Sequence, residues 1–356
     1  MPRFHSGAFY VIIYIMKTVY LGMSGGVDSS VSALILKQQG YKVIGVYMKN
    51  WSKDLPGMKC PWAEDLADAK RIATKLDLDF EVWDFEDAYK KRVVDYMLEE
   101  FKKGNTPNPD VMCNQEIKFK LFYEEAMKRG ADYIATGHYA KTDGENLLLA
   151  KDDNKDQTYF LYRISADSVK HTLFPIGDML KPDVKKLAEE NGLHNAYKKE
   201  SMGVCFVGEV GMKDFLKEYI DIKPGEIREA ETEKILGYHE GAVFYTIGQR
   251  HGLYVGGGLP YYVVKKDLKK NIIYVSKNLN EKDLWVKEIE LKDIFLRKNP
   301  STKNIQVRVR HRAPLIDAEF DGEKITFKEE IKKIASGQSI VFYEGSICLG
   351  GGIVKI

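Results

Sequence analysis

Two hydrophobic periods alternate along the first third of the chain. Thr18–Gly22, Lys42–Met48, Phe80–Phe85 and Asp132–Thr136 are short runs that read as strands. Between them apolar residues return at helical spacing. Ser29–Gln39 carries Val31, Leu34 and Ile35 on one face and stops at Gly40. Ala63–Leu76, Ala88–Lys103 and Cys113–Arg129 continue the rhythm. Strand and helix in strict alternation predict an α/β unit with a parallel sheet covered on both faces. Beyond about residue 210 the helical period fades. Ala242–Tyr245, Tyr261–Lys265, Ile272–Val275, Ile305–Arg310 and Ile340–Tyr343 read as strands between glycines and charged turns. The expected organisation is an extension over 1–16, an α/β unit over 17–210, a central β-rich unit over 211–270 and a C-terminal β unit over 271–356.

The chain's 356 residues suit two or three domains, and 44% hydrophobic content is enough for a sizeable core. A net charge of +2 gives no global basic footprint, so any nucleic-acid contact must come from local patches. The four cysteines, Cys60, Cys113, Cys205 and Cys348, form no C-x-x-C pair. They read as cytosolic thiols and not as a disulfide framework or a structural zinc site. The apolar run Phe9–Met16 is too short to cross a bilayer and has no cleavage site behind it. Residues 1–15 are therefore expected to be an upstream extension, and the protein to be cytoplasmic with no membrane partner.

The first chemical signal is Gly22-Met23-Ser24-Gly25-Gly26-Val27-Asp28-Ser29-Ser30, placed between a strand and a helix. Two glycines let the backbone turn tightly and aim N–H groups at one anion, and the helix start adds its positive dipole end. Ser24, Ser29 and Ser30 offer hydroxyl donors. With no G-K-[ST] the loop is not a Walker loop, nor is it G-x-G-x-x-G. A ligand-free glycine turn is the plain alternative, and for Asp28 the alternative is a carboxylate that simply suits the helix dipole.

The second signal is Gly104-Asn105-Thr106-Pro107-Asn108-Pro109-Asp110-Val111-Met112-Cys113. Cys113 is expected at a helix start, where the dipole favours thiolate, with Asp110 three residues upstream to shuttle a proton. Taken singly, Cys113 reads first as a small buried hydrophobe and only second as a nucleophile. Cys205 lies between glycines in Gly203-Val204-Cys205-Phe206-Val207-Gly208. Arg308, Arg310 and Arg312 alternate, so a strand would turn them to one face, suited to phosphate or merely solvated.

The glycine loop resembles that of the N-type ATP pyrophosphatases. From Lys17 to the C-terminus the chain resembles the MnmA family of tRNA-uridine 2-sulfurtransferases. The resemblance rests on Gly22–Ser30, Thr106–Cys113 with Ile117-Lys118-Phe119, Ala135-Thr136-Gly137-His138-Tyr139-Ala140, Lys155-Asp156-Gln157-Thr158-Tyr159-Phe160-Leu161, Gly203–Phe206 and Tyr245-Thr246-Ile247-Gly248-Gln249-Arg250. It implies a central β domain and a C-terminal β-barrel. It implies ATP contacts by Gly22, Met23, Ser24, Gly25, Gly26, Val27, Asp28, Ser29, Met48 and Gly137, with Mg²⁺ beside Asp28. It implies tRNA contacts by Asn108, Pro109, Asp110, His138, Lys155, Asp156, Gln157, Arg310, His311 and Gln338.

By the same resemblance, Cys205 carries a persulfide supplied by a sulfur-donor protein and Cys113 is its partner. The activity implied is ATP-dependent 2-thiolation of the wobble uridine. The two cysteines are ninety-two residues apart and must come within disulfide range, Cα–Cα under ~7 Å, in some state. The chain departs from the family at His311, where tyrosine is usual, and at Glu200 and Met202 before the persulfide cysteine. Two rival readings remain at this point: a pyrophosphatase-loop ligase or amidotransferase acting on a small molecule, and an RNA-binding module with a vestigial nucleotide site.

Overall fold

The computed structural model describes residues 16–54, 60–199, 211–256, 260–278 and 284–355. Its first sheet is parallel. β1 (Thr18–Gly22) lies between β2 (Lys42–Lys49) and β4 (Tyr133–Thr136), with β3 (Asp79–Asp84) outside β2. β5 (Lys141–Thr142) and β6 (Leu147–Leu148) form a small hairpin, and β7 (Thr172–Leu173) completes the order β3-β2-β1-β4-β7. The inner strands β1, β2 and β4 are nearly continuous apolar runs because both faces are covered, whereas the edge strand β3 alternates with acidic residues. Val19, Leu21, Val31 and Ile72 form one buried layer, and Tyr20, Val46, Ile134 and Phe122 the other. Strand order reverses on either side of β1. A crevice therefore opens at the carboxyl ends of β1 and β4, where Gly22 pairs with Thr136.

Helices α1 (Val27–Gln38) and α2 (Trp62–Lys75) follow β1 and β2. A helical run over 86–102 (α3) and another over 109–128 (α4) each contain a π-helical stretch, Lys90–Val94 and Asn114–Leu121. Thr158–Leu161 (α5), Lys181–Glu190 (α6) and Met212–Tyr219 (α7) complete the helices used below.

The central sheet pairs β8 (Gly225–Glu229), β9 (Ile235–His239), β10 (Tyr262–Asp267) and β11 (Ile272–Ser276) in the order β10-β11-β8-β9. The hairpin β10–β11 thus spans the boundary expected at 270/271, and the central unit runs through Ser276. Ala242–Phe244, expected as strand, is a single 3₁₀ turn. Gly241 sits just before it, and a run this short has too little pattern to distinguish turn from strand.

The third sheet closes on itself. β12 (Trp285–Leu296), β13 (Asn304–Arg308), β14 (Ile316–Phe320), β15 (Lys324–Lys332), β16 (Ser339–Glu344) and β17 (Ile347–Val354) run β12-β15-β14-β13-β16-β17, and β17 returns to β12. The barrel is welded to the first unit. β6 pairs with β17, and Val341, Tyr343 and Cys348 share a buried cluster with Phe119, Tyr159 and Tyr162.

Candidate functional site: a nucleotide loop and a thiol in one cavity

The loop after β1 is shaped by backbone. Gly25 takes φ +77, and a Cβ there would fall 2.4 Å from the Asp65 carbonyl of α2. A Cβ on Gly137 would meet the Ser29 nitrogen at 2.6 Å. The loop is tied internally. Ser29 Oγ donates to the Gly26 carbonyl at 3.0 Å and accepts from the Ser24 N–H at 3.3 Å. Ser30, expected to face a ligand, is fully buried. It donates to the Gly26 carbonyl at 2.9 Å and takes a hydrogen bond from Asn195 Nδ2, so it braces the loop from behind.

A cavity of about 410 Å³ opens at this crevice. Its walls include Gly22, Met23, Ser24, Gly26, Val27, Asp28, Ser29, Met48 and Gly137, all of the expected nucleotide contacts except Gly25. Gly25 supports the loop from outside, its carbonyl accepting Asn195 Nδ2 at 2.9 Å. Asp110, Cys113, His138 and Gln157 line the same cavity. Asn50 Oδ1, on the wall at the end of β2, is buried without a hydrogen-bond partner. It is an acceptor placed where an amino group of a bound molecule would satisfy it.

Asp28 is held more tightly than its motif suggests. Lys181 Nζ donates to both carboxylate oxygens at 2.7 and 2.8 Å, and the Tyr139 hydroxyl donates to Oδ1 at 3.0 Å. Lys181 was not foreseen. A lysine in the first turn of α6 is poorly placed for the helix dipole, and that misfit, followed by Pro182, was the available signal. Lys181 is only 6% exposed, so its charge is committed to this pair. Among the described residues no group of three or more His, Cys, Asp or Glu is arranged to hold a metal. A Mg²⁺ ion needs only one carboxylate beside substrate phosphates and water, and Asp28 can offer a remaining lone pair for that.

Asn108 caps α4, its Oδ1 accepting the Val111 N–H at 3.4 Å, and Pro109 occupies the first helical position. Helix therefore begins earlier than expected. Cys113 is not at its start but a full turn in, buried, just before the π-helical stretch. The dipole acts most on Asp110, yet burial pushes its carboxyl above the usual range while the Lys118 charge pulls it down. His138 Nδ1 lies 2.8 Å from Thr136 Oγ1, and Nε2 lies 3.4 Å from Lys118 Nζ. An ammonium cannot accept, so Nε2 accepts and Nδ1 carries the proton. Burial and Lys118 together hold His138 well below its ordinary value and keep it neutral.

The residues expected to meet RNA divide into three groups. Asn108, Pro109, Asp110, His138 and Gln157 gather in or beside the cavity. Lys155 and the exposed Arg310 and Arg312 stand near His311, whose ring packs on Phe160 at 4.6 Å, one turn from Gln157. Asp156, expected as an RNA contact, is 1% exposed. Its carboxylate takes the Ala150 N–H, the Thr158 hydroxyl and Arg308 Nη1 at 2.8, 2.6 and 2.7 Å. The row of arginines also fails. β13 ends at Arg308, which is buried against Asp156, and Arg312 has φ +63 in the following turn. Gln338 is likewise occupied, its Nε2 donating to the Thr106 carbonyl at 2.6 Å. Cys205, Glu200 and Met202 lie outside the described residues, so the expected approach of Cys205 to Cys113 is not part of the geometry above.

A parallel sheet whose first strand turns through glycines into a helix, with a thiol and a carboxyl facing that turn, defines a nucleotide-binding α/β unit, here followed by two β units. Residues 17–209 match a family model described as tRNA methyl transferase HUP domain. Residues 213–277 match its PRC-barrel domain, and residues 284–354 an aminomethyltransferase beta-barrel domain. The tRNA-specific 2-thiouridylase MnmA of Listeria welshimeri is 46% identical over 349 residues, covering 94% of this chain and 94% of that protein. The MnmA of Idiomarina loihiensis is 44% identical over 360 residues, covering 95% and 96%. A solved 4-thiouridine synthetase–RNA complex with bound ATP overlaps 52% of this chain and 43% of its own, at 19% identity and a TM-score of 0.34. The chain belongs to the MnmA family.

Proposed function

We propose that this protein catalyses ATP-dependent 2-thiolation of the wobble uridine (U34) of tRNA. One observation carries the reading: a single cavity is walled by the Gly22–Ser29 loop on one side and by Asp110, Cys113 and His138 on the other. The uridine C2 oxygen attacks the α-phosphorus of ATP, the α–β bond breaks and pyrophosphate leaves. Loop N–H groups and the start of α1 receive its charge. Asn50 Oδ1 accepts from the adenine amino group. Mg²⁺, when bound, neutralises phosphate charge beside Asp28.

The outer sulfur of a Cys205 persulfide then forms a bond to C2. The Cys113 thiolate attacks Cys205 Sγ, the S–S bond breaks, and AMP departs as C2=S forms. The resulting Cys113–Cys205 disulfide is reduced by external thiols. Asp110, whose carboxyl burial raises while the Lys118 charge lowers it, manages the Cys113 proton. The base must leave its stack to reach this depth, and Lys155, Gln157, Arg310 and His311 form the rim it passes. A persulfide-carrying protein reloads Cys205, and the reaction runs in the cytoplasm, where both substrates are at hand. Methyl transfer, the chemistry in the family-model description, has no use for a pyrophosphate loop facing a thiol.

The test is thiolation of an unmodified anticodon transcript with ATP and a persulfide source, read as 2-thiouridine and AMP. Product with wild type and none with Cys205→Ser supports the reading. Equal product from the two would sink it. AMP release without RNA, unaffected by Cys113→Ser, would favour a small-molecule ligase.

A further inference from the structure

The helix that carries Asp110 and Cys113 is entered through Gly104–Thr106, and both β units grip that loop. From the central unit, Lys266 Nζ donates to the Gly104 carbonyl at 2.9 Å, and the Thr106 and Thr246 hydroxyls meet at 3.2 Å. Leu268 fills the space where Gly104 has no side chain; a Cβ there would fall 2.4 Å from Leu268 Cδ1.

From the barrel, the Thr106 N–H donates to the Ser336 carbonyl at 2.7 Å. Ser336 Oγ donates to Asn105 Oδ1 at 2.8 Å, and Gln338 Nε2 to the Thr106 carbonyl at 2.6 Å. Gly337, at φ +88, lies flat on the loop. A Cβ there would be 2.9 Å from Asn105 Cβ and 3.0 Å from the Thr106 nitrogen. On its inner side Asn105, 4% exposed, donates to Glu100 at 2.6 Å. The loop therefore has both backbone groups of Thr106 and both ends of the Asn105 amide in use. Two residues later Asn108 caps the helix.

We infer that Gln338 is a positioning residue for catalysis: through Thr106 it sets how far Pro109–Cys113 stands from the nucleotide loop, and so couples the barrel to the cavity. This rests on the thiolation reading for its catalytic meaning. The chemistry of the contact favours positioning over RNA recognition. The Gln338 amide is already donated to a backbone carbonyl, and the loop it holds is stiffened by Pro107 and Pro109, so a displacement at Thr106 is carried to Asp110 and not absorbed. Reacting groups need only a small misplacement to lose much of their rate.

Gln338→Leu leaves an apolar side chain one carbon shorter and removes the donor. Steady-state thiolation is measured with varied tRNA, together with hydrogen exchange at the Thr106 amide and site-resolved alkylation of Cys113 by iodoacetamide in the free protein. Positioning predicts kcat down about ten-fold with tRNA KM changed less than about two-fold. It also predicts faster Thr106 exchange and an altered Cys113 alkylation rate. A raised KM with unchanged kcat, exchange and alkylation makes Gln338 an RNA contact and overturns the proposal. Should Gln338→Leu not fold, Gly337→Ala drives a methyl into the same loop with the amide retained, and must reproduce the kcat loss and faster exchange. If it leaves both unaltered, the proposal is wrong. Exchange and alkylation need no RNA, so they separate a failure here from a failure of the thiolation reading.

Discussion

The nucleotide cavity and the barrel face that packs against the first unit are built by opposite means. Around the cavity, function follows a contiguous string. Gly22 to Ser29 turn on two glycines, and nine of the ten nucleotide candidates, counted with Met48 and Gly137, line one cavity with only Gly25 behind it. On the barrel side, charged and amide residues that suit RNA contact are spent on the joint between units. Arg308 closes on Asp156 and Gln338 on Thr106. A glycine loop makes its site from its own backbone. A strand-borne arginine has its partner 152 residues away, and no local pattern reveals it.

The sharpest way to break this contrast is at the buried pair. Arg308 and Asp156 side chains are 8% and 1% exposed, and burial raises the Asp156 carboxyl while its donors oppose that. Arg308→Met leaves a carboxylate buried without its cation, which costs about 3–5 kcal/mol. Urea unfolding measures it. Arg308→Met combined with Asp156→Asn removes both charges, and is expected to recover much of the loss. A cost near zero for the single variant would mean that Arg308 is free to serve RNA, and the contrast between the regions would fail.

A smaller effect is expected inside the cavity. If Asp110 acts as the base, activity falls as pH drops through its raised carboxyl value, above the ordinary 3.8. Lys118 is the charge that lowers it, so Lys118→Met moves the acid limb of kcat/KM to higher pH. The same change relieves the downward pull on His138. A limb that stays in place, or moves to lower pH, would remove Asp110 from the proton path.

How much of this was legible follows from where the information lies. The parallel sheet, the order of its helices and two of the barrel strands, β13 and β16, came from hydrophobic period, because each strand's burial is written in its own residues, whereas the barrel as a whole came from the family resemblance. The placement of Cys113 did not, because the helix start is set by Asn108 and Pro109 together, and only the cap geometry shows that the helix opens a turn before the thiol. Lys181 was missed because its partner, Asp28, lies 153 residues away. The 270/271 boundary missed because a hairpin turn such as Leu268–Asn271 looks locally like a linker. Distance in sequence hid Lys181, while the other two turned on local cap and turn geometry that hydrophobic period does not carry.

The smallest expected effect is at His311, the family departure on the barrel rim. Burial, Arg312, Arg308 and Lys155 push its imidazole down to about 4 from 6.5, and its ring lies against Phe160 and Tyr159. The folded protein therefore holds it neutral while the unfolded chain takes up a proton first. Stability attributable to His311 is complete above about 6.5 and is lost as pH falls from there toward about 4. Partial exposure discounts the size to at most about 2 kcal/mol. His311→Tyr, which restores the family residue and cannot take up a proton in this range, is expected to flatten the difference in unfolding free energy between pH 7 and pH 5 relative to wild type. An identical slope in both proteins would show that the imidazole is solvated, and that the rim beside Gln157 is open enough for a base to stack on it directly.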